Sequence, residues 1–197
     1  LMGVYSDPQA ALNDESKDEI LLSVKNTAAE TYALLENLLE WARSQREVSF
    51  KPVANNVNTI ISDTMALLSN IALAKGVNLN FHSNGAVEAI FDGEMVKTIL
   101  RNLITNAIKF TPKNGDVDVR VADLPSVVEV SVTDTGIGMS TDMANTLLNG
   151  LGNISTLGTN NEKGAGLGLK LTQRFVERNG GSLRIETEKG KGSTFTF

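Results

Sequence analysis

Three glycines alternate in Gly164-Ala165-Gly166-Leu167-Gly168, and an apolar helical pattern begins directly behind them at Leu169. Backbone N–H groups at a helix start favour phosphate, and glycines let a ligand approach the main chain. What precedes the glycines limits the fold. It is not a strand but the polar, Gly- and Asn-rich run 150–164, which reads as a mobile loop. A dinucleotide-binding βαβ unit needs a strand there and a G-x-G-x-x-G spacing, and neither is present. Gly190-Lys191-Gly192-Ser193-Thr194 leads into a strand and lacks the G-x-x-x-x-G-K-[ST] pattern, so it is not a P-loop. Any phosphate site must therefore be built on a different plan.

The rest of the chain suggests that plan. Residues 17–46 read as one long helix: Leu21, Val24, Ala28, Thr31, Leu35, Leu38 and Ala42 recur at alternating spacings of three and four. Ile20, Leu34 and Trp41 widen the stripe beyond a two-stranded seam, which suits a helix buried in a bundle. Packing of this helix on its own globular domain is the other reading. After Glu47 the pattern changes. Residues 48–53 alternate like a strand, with Pro52 suggesting an edge, and residues 56–75 read as a helix stopped by Gly76. Residues 77–81 and 87–91 alternate around a Ser83-Asn84-Gly85 turn, as in a hairpin. Asp92 is a plausible N-cap for a helix running to Phe110. Val-rich strands follow at 116–123 and 127–134, then a short helix at 140–149, a helix at 167–179, and a hairpin of 182–188 with 193–197. Helices grouped apart from mainly antiparallel strands imply an α+β fold, a two-layer α/β sandwich with a mixed sheet. The expected division is a helical region 1–47 and a second domain 48–197.

Composition narrows the chemistry. Hydrophobic residues make up 41% of 197 positions, enough for one or two packed domains. The formal charge of −5 argues against a nucleic-acid partner, whose phosphates call for a basic surface. There is no cysteine, so disulfide and thiol chemistry are excluded and a metal must be held by oxygen or by the single histidine. That residue, His82, sits at a strand end and reads as an ordinary surface histidine. No apolar run comes near the ~20 residues that span a bilayer.

Two further elements complete the constellation. In Asn102-Leu103-Ile104-Thr105-Asn106-Ala107-Ile108-Lys109-Phe110, Asn102 and Asn106 share a helix face with Lys109 beside them. Amide oxygens can ligate a hard cation and an ammonium can offset triphosphate charge. The same residues also suit a solvated polar face. Asp134-Thr135-Gly136-Ile137-Gly138 directly follows a strand; a part-buried Asp134 needs a donor, and the amine of adenine is one. A cap on the next turn is the alternative.

In this order and spacing, N-x-x-x-N-A-x-K-F-T, D-x-G-x-G, G-x-G-L-G-L and G-x-G-S-T-F resemble the N, G1, G2 and G3 boxes of sensor histidine kinases, over residues 48–197. The resemblance implies the Bergerat (GHKL) ATP-binding fold shared with gyrase, Hsp90 and MutL-type ATPases. It implies ATP and Mg²⁺ as cofactors, with Asn106 the principal Mg²⁺ ligand, Asn102 a second, and Lys109 on phosphate. Catalysis would rest on Asn102, Asn106 and Lys109. Nucleotide contacts would come from Phe110, Asp134, Gly136 and Gly138, and from Gly164, Gly166, Leu167, Gly168 and Thr194. Residues 150–166 would cover the nucleotide. The family's ATPases carry a water-activating Glu where this chain has Asn102, and an amide is no general base. Transfer to a supplied nucleophile, rather than hydrolysis, is the expectation.

Leu34-Leu35-Glu36-Asn37-Leu38-Leu39-Glu40-Trp41-Ala42-Arg43-Ser44 resembles the second dimerisation helix of such kinases, and Leu1-Met2-Gly3 the end of the first. The acceptor histidine is then expected upstream of Leu1. The implied partners are a response-regulator receiver domain and a second copy, as a homodimer through the helices. The implied setting is the cytoplasmic side of a membrane-anchored parent. The aromatic box of the family has no Phe here: the stretch is Leu147-Leu148-Asn149-Gly150-Leu151-Gly152-Asn153-Ile154. That departure motivates an inactive, kinase-like scaffold as one alternative. A Bergerat ATPase of the gyrase or MutL class is the other.

Overall fold

The computed structural model describes residues 50–149, 157–160, 162 and 167–197, together with Val24, which is helical and exposed. The expected dimerisation helix, Gly164 and Gly166 otherwise lie outside the described residues.

A short strand, β1 (Val53–Asn56), leads into α1 (Val57–Lys75). The helix starts where the Asn56 side chain accepts the Thr59 N–H at 3.0 Å, and it ends at Gly76 in the left-handed conformation (φ 70°). Then come β2 (Asn78–His82), β3 (Glu88–Phe91) and α2 (Gly93–Phe110). Asp92 caps α2 by accepting the N–H groups of Glu94 and Met95 at 3.1 and 3.2 Å. The hairpin β4 (Asp116–Asp123) and β5 (Val128–Asp134) precedes α3 (Thr141–Leu148) and α4 (Gly168–Arg178), and a second hairpin, β6 (Arg184–Glu188) and β7 (Gly192–Thr196), closes the chain.

The main sheet has the order β2-β4-β5-β7-β6, with one parallel pair, β2 with β4, and antiparallel neighbours elsewhere. Helices α1, α2 and α4 cover one face, giving the expected two-layer α+β sandwich. Ile61, Ile99, Leu100, Leu103, Ile104 and Ile108 from the helices meet Val117, Val119 and Val132 from the sheet, all essentially inaccessible to water.

Two expectations change. Of the strand expected at 48–53, residues 48 and 49 lie outside the described residues, and over 50–53 pairing begins only at Val53, Pro52 having no N–H to give a ladder. Residues 77–81 and 87–91 do not make a hairpin. β2 pairs with β4, while β3 joins β1 in a separate two-stranded sheet. The Ser83-Asn84-Gly85 turn is real local chemistry, but the partners of both strands come from elsewhere in the chain. By length and composition α1 matches a membrane span. Its inner side, with Val57, Ile61, Leu68 and Ala72 buried, belongs to the core layer. Leu67 and Leu73 stand outside, 78% and 77% exposed, so the helix is apolar on both sides.

Candidate functional site

Helix α2 is the platform. Its apolar stripe, from Val96 to Ile108, faces the core, so Asn102, Asn106 and Lys109 fall together on a half-buried edge. The Asn102 amide donates to the Gly168 carbonyl at 3.4 Å, which ties this edge to the start of α4. Gly168 makes the approach possible, since a Cβ there would lie 3.3 Å from Asn102 Oδ1. Leu167 occupies the N-cap position of α4 without a side-chain hydrogen bond to the first turn. The N–H groups of that turn, which no helix can satisfy internally, lie beside the Asn102 edge.

The end of α2 joins the other parts. A helix leaves its last carbonyls without intrahelical partners. Here Phe110 O accepts the Ile137 N–H at 3.1 Å, and Lys109 O accepts from Thr159 N–H at 3.1 Å and from Lys75 Nζ at 2.5 Å. Ile137 O in turn accepts the Gly190 N–H at 2.7 Å. The D-x-G-x-G loop is thereby held between α2 and the β6–β7 turn. Only glycine suits its centre. A Cβ at Gly136 would fall on Phe110 O and lie 2.6 Å from Asp134 Oδ1, and Gly138 is left-handed at φ 57°. Lys109 Nζ stands 4.8 Å over the Phe110 ring.

Asp134 ends β5 on the helix-covered face, 5% exposed. Burial pushes its carboxyl above the ordinary value, while the N–H groups of Gly136, at 2.8 Å, and Ser193 pull the other way. A buried, partly compensated carboxylate has strong reason to take a further donor.

The structure places Asn102, Asn106 and Lys109 on one edge of α2, with the D-x-G-x-G loop against its end and the start of α4 beside it; Gly164 and Gly166 lie outside the described residues, and Thr194 falls elsewhere. Strand register puts Ser193 opposite Asp134 and Thr194 opposite Thr133. Alternation sends Thr194 to the other face, where its hydroxyl bonds Thr133 at 3.0 Å. The side chain beside Asp134 is that of Ser193, 7% exposed and bonded to the Thr187 hydroxyl at 2.9 Å. The inward Phe195 two residues on carries the parity signal that identifies it. A concavity of about 300 Å³ is lined by Asp134 and Ser193 together with Thr133, Glu186, Glu188, Lys191 and Thr194. None of Asn102, Asn106 or Lys109 lines it, so Asp134 and Ser193 are what it shares with the candidate site. His82, on the edge strand β2, has its Nε2 2.7 Å from Asp118 Oδ1 on β4, and Asp118 stands opposite Thr133 in the β4–β5 register, on the face away from the buried Val117 and Val119. The aromatic box falls mostly outside the described residues; of its described part, Leu148 O accepts from Gln173 Nε2 at 3.0 Å.

The family described as histidine kinase-, DNA gyrase B- and HSP90-like ATPase matches residues 91–197. Sporulation kinase C of Bacillus subtilis is 35% identical over 167 residues, which is 82% of this chain and 36% of that protein. Sensor histidine kinase ZraS of Escherichia coli is 31% identical over 145 residues, 73% of this chain and 30% of that protein. The non-motile and phage-resistance protein of Caulobacter vibrioides is 28% identical over 94% of this chain and 23% of its own length. The chain therefore spans well under half the length of these relatives. Among solved structures, full-length ShkA in complex with AMPPNP superposes with a TM-score of 0.71 at 26% identity, over 94% of this chain and 39% of that one. Histidine kinase ThkA in complex with response regulator TrrA superposes with a TM-score of 0.73 at 20% identity, over 98% of this chain and 52% of that one, a likeness of fold. The chain belongs to the histidine kinase-, DNA gyrase B- and HSP90-like ATPase family, and within it carries the ATP-binding catalytic domain of a two-component sensor histidine kinase.

Proposed function

We propose that this domain is the donor half of a phosphotransfer, passing the γ-phosphoryl of Mg-ATP to a histidine that a longer parent protein supplies. The phosphoryl group then moves to an aspartate on a response-regulator receiver domain. The parent works as a homodimer through its helices, and is membrane-anchored with this domain on the cytoplasmic side.

The observation that carries the reading is Asn102. The position where the family's ATPases hold a water-activating Glu is filled by an amide whose nitrogen is turned to Gly168 O. An amide can neither take a proton from water nor release one, so hydrolysis lacks its base. What remains is positioning and charge compensation, which suffice for phosphoryl transfer to a placed nucleophile. Asp134 receives the adenine amine, Lys109 meets the phosphates, and the N–H groups at the start of α4 face the same negative charge. Among the described residues no group of three His, Asp or Glu side chains gathers to hold a metal. Mg²⁺ would be shared between the Asn106 amide, with Asn102 near it, and the phosphate oxygens, where it would supply charge neutralisation.

Calorimetric titration with a non-hydrolysable ATP analogue, with and without Mg²⁺, tests the site. Incubation with γ-labelled ATP tests the reaction: the chain alone should neither release phosphate at a catalytic rate nor retain an acid-labile label. Multiple-turnover phosphate release would instead establish an ATPase.

A further inference from the structure

Resting on the nucleotide reading, we propose that Lys75 and Glu162, with Gly158, form a latch that sets the position of the Lys109 side chain for a nucleoside triphosphate. Lys75 and Glu162 are positioning residues in this scheme, not contacts of the substrate.

Lys75 is the last residue of α1, and its side chain is only 7% exposed. A buried ammonium needs partners. It finds two: Lys109 O at 2.5 Å and Glu162 Oε1 at 2.7 Å. The second Glu162 oxygen accepts the Asn160 N–H at 2.8 Å, and the Glu162 carbonyl accepts the Gly158 N–H at 2.9 Å. Thr159 adds its N–H and hydroxyl to Lys109 O at 3.1 and 3.2 Å, and its hydroxyl also reaches Thr111 O at 3.1 Å. Gly158, Thr159, Asn160 and Glu162 therefore gather around the Glu162 carboxylate and dock on the last turn of α2.

The docked backbone lies against the Lys109 stem. A Cβ at Gly158 would stand 2.6 Å from Lys109 Cγ. With Phe110 under its ammonium, Lys109 has support at both ends. A part-buried ion pair such as this is a weak device for stability, because desolvation offsets much of its Coulomb gain, but it fixes direction and register well. Burial opposes the Glu162 charge, yet the Lys75 hydrogen bond and the Asn160 N–H hold its carboxyl below the ordinary value. Glu162 therefore favours its charged form beside Lys75.

The test compares Mg²⁺-bound non-hydrolysable ATP analogue with ADP on the full 197-residue chain. Lys75→Met and Glu162→Gln should weaken the triphosphate analogue by about tenfold more than ADP, a coupling of ordinary size between neighbouring elements. Lys75→Arg should restore most of the loss. Amide exchange at Gly158 and Thr159 should quicken in the two weakened variants. Equal weakening of both nucleotides, or faster exchange with unchanged affinities, would reduce the latch to a structural tether and overturn the positioning role. Should Lys75→Met fail to fold, Glu162→Gln, whose carboxamide keeps the same shape, decides alone. A wild-type chain that binds neither nucleotide refutes the nucleotide reading itself; unchanged amide exchange in Glu162→Gln, with nucleotide binding intact, refutes the latch.

Discussion

Asp134 and Ser193 face each other in register across β5 and β7, and the Ser193 backbone N–H supports the Asp134 carboxylate on the face the helices cover. The carboxylate is buried, with the backbone N–H groups of Gly136 and Ser193 as its donors among the described residues. It pays a desolvation penalty in the ligand-free protein that a bound adenine amine would relieve. Asp134→Asn should therefore leave the fold intact while weakening the ATP analogue. A hydrogen bond to a charged group is worth about 1.5–3 kcal/mol, or roughly ten- to a hundredfold in Kd. Calorimetry on the folded variant checks it.

The same burial gives a pH signature. The folded carboxyl titrates above its ordinary value, so between the two values the folded state holds more protons than the unfolded. The contribution of Asp134 to stability is fully present below the ordinary value and is lost as pH rises through the raised one. Wild type minus Asp134→Asn, measured by urea unfolding across the acid range, should therefore decline with rising pH. Glu162 is shifted downward, so wild type minus Glu162→Gln should change the opposite way, rising with pH. A flat first difference would show that burial does not raise the Asp134 carboxyl in the folded protein.

Ser193 and Thr194 separate motif from geometry. Ser193→Ala removes a hydroxyl beside Asp134 and should weaken the ATP analogue several-fold, the effect of a neutral hydrogen bond worth about 0.5–1.5 kcal/mol. Thr194→Val keeps its shape and acts on the far face, where only the Thr133 hydroxyl loses a partner. Its affinity should match wild type. The reverse ranking in a titration series would mean that β7 presents its other face to the nucleotide.

That pair also shows where sequence reading stops. The helices were legible because their ends carry local chemistry: Asp92 as N-cap, Gly76 as stop, and apolar residues at helical spacing between. The Asn102–Asn106–Lys109 edge followed from helical periodicity alone. The β4–β5 hairpin was legible because its strands are neighbours. β2 and β3 were not, since a turn between them says nothing about partners that lie tens of residues away. Lys75 and Glu162 stand 87 residues apart in no motif, and only the docking of α1 against the end of α2 brings them together.

Asn106 should account for the metal dependence. Its amide makes no hydrogen bond to the described residues, unlike that of Asn102, so it is available to a cation on the shared edge. Asn106→Ala should lower the affinity for the ATP analogue in Mg²⁺ to about that of wild type in chelator, and leave the Mg²⁺-free affinity nearly unchanged. The loss of one ion-associated contact is about 1.5–3 kcal/mol. Equal losses with and without Mg²⁺ would assign Asn106 to the nucleotide rather than to the metal.

Two glycines at the site should answer differently to an added methyl. At Gly136 the new Cβ meets the Phe110 carbonyl and Asp134 Oδ1, at 2.6 Å from the latter. The first of these is backbone at the end of α2, itself tied to Ile137, and cannot step aside without moving the whole loop. Overpacking of this kind costs about 1–3 kcal/mol, so Gly136→Ala should lower the thermal midpoint and reduce nucleotide affinity together. At Gly168 the new Cβ meets only the Asn102 side chain, at 3.3 Å from its oxygen, and that side chain can rotate. Gly168→Ala should therefore leave the midpoint nearly unchanged, because alanine also suits a helix better than glycine. What it displaces is the Asn102 amide and the bond to Gly168 O. Affinity for the Mg²⁺-bound analogue should fall while stability holds, and thermal melts run beside titrations separate the two cases directly.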